Sequence, residues 1–140
     1  MARALQFIDR KRAFPILQKL VNQRYPAAFD NIGSIFYFDQ KNPEAAVASF
    51  RSGVDLNDSD SMVSLAEMID RNQTMPRGPA ETKLALYHRA AGLGNTAGAR
   101  AEQSESQKQG IDERNREMQI QQARIAGEIF NGILQGISRR

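Results

Sequence analysis

The chain has 140 residues, enough for one ordinary domain, with 41% hydrophobic and 25% charged residues. It has no cysteine, which excludes disulfides, thiolate chemistry and Cys-ligated zinc or iron–sulfur sites. The formal net charge is +3, and no window is apolar over the ~20 residues that a membrane span needs.

The charge is unevenly spread: residues 1–24 carry +5, residues 25–100 carry −2, and residues 101–140 carry zero. A basic end could meet a phosphate backbone or an anionic membrane. Aromatic stacking platforms and a nucleic-acid motif are missing, so the stretch is read as a solvated helix face and nucleic acid is not the expected partner. Ala2 to Ile8 already read as helix. Arg10, Lys11 and Arg12 interrupt the N-terminal apolar run before a secretory core forms. The default compartment is cytoplasmic, with a periplasmic or secreted protein the alternative if a signal peptide precedes the numbered start.

In chain order the apolar spacing is helical almost throughout. Ala13, Ile16, Leu17, Leu20 and Val21 fall on one face. Tyr25-Pro26 ends that helix and starts another, with Pro26 suited to a first turn. Ala28, Phe29, Ile32, Ile35 and Phe36 form the next stripe. Residues 39–43 are a turn with Asn42 as cap and Pro43 at the first helical position. Ala46, Val47, Phe50 and Val54 follow, then a turn and cap over residues 56–60, then Met62, Leu65, Ala66, Met68 and Ile69. Residues 71–79, with two prolines and a glycine, read as a loop. Residues 80–93 are helical, with Leu84, Leu86, Tyr87, Ala90 and Ala91, and Gly92 and Gly94 end the helix. Residues 97–108 read as a polar helix, Gly110 as a break, and residues 112–137 as a long final helix.

The helices repeat. With Leu17, Phe50 and Tyr87 in register, Leu20 aligns with Gly53 and Ala90, and Val21 with Val54 and Ala91. Arg24, Asn57 and Gly94 then share the turn. The separations of 33 and 37 residues are close to the ~34 of tetratricopeptide-type repeats. The stretch Leu86-Tyr87-His88-Arg89-Ala90-Ala91-Gly92-Leu93-Gly94-Asn95-Thr96-Ala97 resembles the Sel-one-like repeat, a relative of the tetratricopeptide class. Asn31 to Tyr37 resembles that family's Asn-Leu-Gly-x-x-Tyr helix, and Glu44 to Phe50 its second helix. The resemblance covers about residues 5–100. Lys83 departs from it, standing where a small residue is usual. So do Glu102, Gln103, Glu105 and Ser106, whose polarity suits a capping repeat.

The expected fold is therefore all-α: a short right-handed α-solenoid of antiparallel helix pairs with a long C-terminal helix. Residues 1–109 form about three pairs, the first partial, and residues 110–140 a capping or interaction segment. One buried seam should run from about Leu5 to Ala97, with Gly33, Ala66, Ala90 and Ala91 where helices cross closely.

Catalytic chemistry finds little support. His88 is the single histidine, and no partners of recognisable spacing converge on it, so it is expected exposed or at a rim. Asp55, Asp58 and Asp60 lie in a cap-and-turn region where Asp serves the backbone. They lack the glycine and distal Glu of a calcium loop. No Gly-rich phosphate loop and no Gly-x-Ser-x-Gly occurs. No enzyme activity, cofactor or metal is expected.

The resemblance implies that first helices line a concave side that binds protein segments. On them Asn31, Ser34, Phe38, Ser64, Glu67 and Arg71 lie off the packing stripe and are the expected partner contacts. The family role implied is adaptor or regulator of protein complexes, often bacterial. An inhibitor or immunity protein and a basic nucleic-acid-associated protein are the alternatives. In the C-terminal helix Ile125, Ile129, Ile133 and Ile137 recur every four residues beside Phe130 and Leu134. That stripe could cover the last repeat, pair with another chain (a homodimer included), or lie on a membrane surface. If the repeat register holds, Ala91→Leu overpacks a crossing and costs on the order of 1–3 kcal/mol; an unchanged melting temperature would count against it.

Overall fold

The computed structural model describes residues 9–139, so the expected helix over Ala2 to Ile8, and Leu5 as one end of the seam, lie outside the described residues. Within them the protein is all-helical and no strand occurs. Six helices follow one another: α1 (Arg10–Asn22), α2 (Pro26–Phe38), α3 (Pro43–Asp55), α4 (Ser59–Asp70), α5 (Lys83–Gly92) and α6 (Thr96–Ser138), with a 3-10 turn at Pro79–Glu81 before α5. Two compact units divide after Gln103.

In the first unit α1 packs on α2, α2 on α3, α3 on α4 and α4 on α5, and α2 also touches α4. Short turns between packed neighbours reverse the chain and make hairpins. Local chemistry explains each start. Pro26 and Pro43 occupy first-turn positions, where a missing N–H costs nothing. Asn42 accepts from the Ala45 N–H, Asp58 from Ser61 and Thr82 from Ala85.

The three ends that the repeat aligns share one geometry. Arg24 and Asn57 both take φ +58°, and Gly94 takes φ +84°. The N–H groups of Tyr25, Asp58 and Asn95 reach back to the carbonyls of Leu20, Gly53 and Ala90. Those of Arg24, Asn57 and Gly94 reach Val21, Val54 and Ala91. This is the Schellman arrangement, which satisfies the last carbonyls of a helix. The residue closing each motif is the one from which the next helix begins, so each turn aims the next helix the same way. Sequence periods of 33 and 37 thus become a structural repeat.

The core runs through these hairpins. Ala28, Phe29, Ile32 and Ile35 are buried on α2, Ala46, Val47, Phe50 and Val54 on α3, Met62, Leu65, Ala66 and Met68 on α4, and Leu86, Tyr87 and Ala90 on α5. Gly33 and Gly53 allow the closest approaches. A Cβ at Gly33 would lie 2.5 Å from the Phe50 ring, and one at Gly53 would collide with Ser61 Oγ. The twelve residues between α4 and α5 are anchored by Arg51 of α3, whose guanidinium donates to Glu81 Oε1 at 2.5 and 2.8 Å and to the Met75 carbonyl at 3.0 Å. Lys83 stays out of the helix crossing and pairs with Asp70 at 2.7 Å.

Four expectations change. Ile16 is 62% exposed and nothing on α1 is fully buried, because the residues of α1 meet α2 along a narrower strip than their spacing suggests. The close crossing after α5 belongs to Ala90, fully buried, while Ala91 is partly exposed, so the overpacking expected of Ala91→Leu belongs to Ala90→Leu instead. A Cβ on Gly98 would lie 2.7 Å from that of Ala90. The seam therefore ends at buried Gly98 with Ala101 beside it, and Ala97 faces solvent. Finally, Gly110 does not break the last helix: its φ is not positive, and no capping geometry competes with the helix there. Glycine alone costs only ~1 kcal/mol in a helix interior.

Gly53→Ala should lower the stability of the first unit by about 1–3 kcal/mol despite better helix propensity. Gly110→Ala, with open space around it, should raise helicity. Thermal circular dichroism on both variants reads the contrast.

Candidate functional site

The first helices of the two complete hairpins, α2 and α4, lie against each other and carry polar side chains off the packed stripe. On α2, Asp30, Ser34 and Phe38 follow at four-residue steps, one above another on the helix surface. On α4, Asp60, Ser64 and Glu67 form the matching row, with Arg71 at the C-cap just past the helix end.

The two rows are joined by one hydrogen bond. Ser64 Oγ donates to Asp30 Oδ1 at 2.5 Å. The acidity of Asp30 is clearly perturbed: its pKa rises from 3.8 to about 6. Burial is the largest cause, and the negative charges of Asp60, Asp58 and Glu67 push the same way, while the Ser64 bond opposes them. Asn95, at the start of α6, extends the surface. Its Nδ2 donates to Asp60 Oδ1 at 2.8 Å and its Oδ1 accepts the Gly98 N–H, capping α6.

The expected contact residues divide. Ser64 is drawn into the Asp30 bond. Asn31 is exposed and donates to the Ala27 carbonyl of its own helix. Ser34 is partly buried. Phe38 is 51% exposed and stands edge-on to Tyr37. Glu67 and Arg71 lie 3.8 Å apart along α4. Asp30 itself escaped the sequence reading. Its signal was a lone carboxylate four residues before Ser34, in a helix otherwise short of charge.

His88 is largely exposed, with Nδ1 2.6 Å from Glu102 Oε1. A separate concavity of about 470 Å³, also missed, lies among α1, α2 and α3, with Gln18, Val21, Phe29, Ile32, Phe36 and Ser49 on its walls. Small residues facing it on α3 (Ala48, Ser49, Ser52) were the available hint. In the second unit, Ile125, Ile129, Phe130, Ile133, Leu134 and Ile137 are all between 46% and 65% exposed. No described helix is long and apolar enough to cross a membrane. The chain matches no family model, no curated protein and no solved structure.

The raised pKa has a sign. The folded protein holds the Asp30 proton up to about pH 6, whereas the unfolded chain releases it near 3.8. Stability from this group is therefore greatest at low pH and falls as pH rises across that window. Asp30→Asn should remove the slope, on the order of 1–2 kcal/mol, as read by urea unfolding at pH 4.5 and pH 7 for both proteins.

Proposed function

We propose that this chain is a non-enzymatic protein-interaction module, a short right-handed solenoid of Sel-one-like helix pairs that binds a basic segment of a partner protein along α2 and α4. It acts as an adaptor or regulator. Stacked helix pairs present their first helices on a continuous surface suited to an extended peptide. The recurring turn geometry at Arg24, Asn57 and Gly94 supports such stacking.

The observation that carries the choice of ligand is the carboxylate group around Asp30. Asp60 and Glu67 flank a half-buried acid whose charge they oppose. A lysine or arginine of the partner relieves that repulsion and gains charge-assisted hydrogen bonds. Phe38 and Ser34 at the far end of the α2 row supply apolar and neutral contacts. Repeat scaffolds do not name their partner, so the chemistry of the face is what defines the ligand class.

Two fluorescent peptides of equal length, one Lys/Arg-rich and one Glu-rich, test this by anisotropy. The basic peptide should bind at least ~10-fold tighter, and Asp30→Asn with Glu67→Gln should remove that preference, about 1.4 kcal/mol or more. Affinity should weaken from pH 7 to pH 5 as Asp30 takes up its proton. Equal binding of both peptides, or no effect of the double variant, overturns the reading.

A further inference from the structure

The second unit is a single helix whose amphipathicity is inverted. A helix on a protein surface has an apolar stripe ≳ 100° wide and is otherwise polar. Here the polar positions are the stripe. Glu117, Gln121, Arg124, Glu128, Asn131 and Gln135 recur at alternating four- and three-residue steps, which keeps them on one line along the helix. From residue 123 to 137 every position off that line is Ile, Leu, Phe, Ala or Gly. All of these residues are exposed.

The area is large. The big apolar side chains from Met118 to Ile137 are each 46–65% exposed. Together they leave on the order of 800 Å² of apolar surface, the share one partner gives to a stable interface, and more than a monomer ordinarily leaves in one patch.

We propose that residues 118–137 of at least three copies of this chain pack side by side as a helical bundle. The number follows from the width of the apolar arc. A two-stranded coil covers one narrow seam per helix, which would leave most of this arc in water. A bundle covers each helix from two sides and leaves outward only the polar line. Charge points to copies of the same chain. Arg124 and Glu128 pair within one helix at 3.3 Å, so the line has little net charge to select an oppositely charged partner or to repel a copy. The same balance disfavours an anionic lipid surface, which binds helices with Lys and Arg along the polar face. The stretch of fifteen positions, four of them polar (Arg124, Glu128, Asn131 and Gln135), also falls short of the ~20 apolar residues that span a bilayer.

Sedimentation equilibrium on the full chain, from about 1 to 100 µM, tests the proposal. The expected mass is that of three or more chains, little changed by 0.5 M salt because the contact is apolar. Ile129→Glu with Ile133→Glu should reduce it to one chain, while Asn131→Lys with Gln135→Lys on the polar line should leave it unchanged. The melting transition of the first unit serves as the folding control. A monomer or dimer at 100 µM, an assembly that survives the double Glu variant, or a monomer that instead floats with neutral phosphatidylcholine vesicles would each overturn the proposal.

Discussion

A helix of ten to thirteen residues is marginal in water even with favourable propensity, so α1 to α5 depend on the surfaces that they cover for one another. The controlling contact is between successive hairpins. Ser61 of α4 lies against Gly53 of α3 and Gly98 of α6 against Ala90 of α5, while Phe50 lies over Gly33 inside the α2–α3 hairpin, and each approach is closer than a larger side chain permits. Interiors packed to this density tolerate little added volume. The seam thus fixes both which helices meet and how near they come.

The turns make that contact repeatable. At Tyr25, Asp58 and Asn95 a single residue completes one helix and opens the next. The exit direction is set by hydrogen bonds to backbone carbonyls, whatever the side chain. This is why Arg24 and Asn57 hold a left-handed conformation that glycine takes at Gly94. The ~1–2 kcal/mol that such residues give up there is offset by satisfying carbonyls that would otherwise be orphaned.

Much of this was legible because it is local. Apolar spacing placed the stripes of α2, α3 and α4, and Asn42, Pro43 and the turn at residues 56–60 marked their starts. The repeat register could be read because the same turn recurs at nearly constant distance. What was not legible depends on the neighbour. Ala90 and Ala91 look alike in sequence, and only the approach of Gly98 decides which is buried. Ile16 fits a helical stripe whose width is set by α2. Gly110 reads as punctuation, yet a glycine breaks a helix only where a competing cap takes over. Asp30 owes its raised pKa first to burial and then to Asp60, Asp58 and Glu67 on and before another helix, a juxtaposition that no local pattern contains. If α2 and α4 present a binding face and the last helix gathers copies, several such faces sit on one assembly, and avidity rather than a single groove sets the strength of capture.

Native-state hydrogen exchange on the first unit tests most directly whether successive hairpins share one seam. If they do, the slowest amides of α3, α4 and α5 open together, with one common free energy and one denaturant dependence. Separate openings for the α2–α3 and α4–α5 hairpins, each insensitive to Gly53→Ala at their junction, would contradict it.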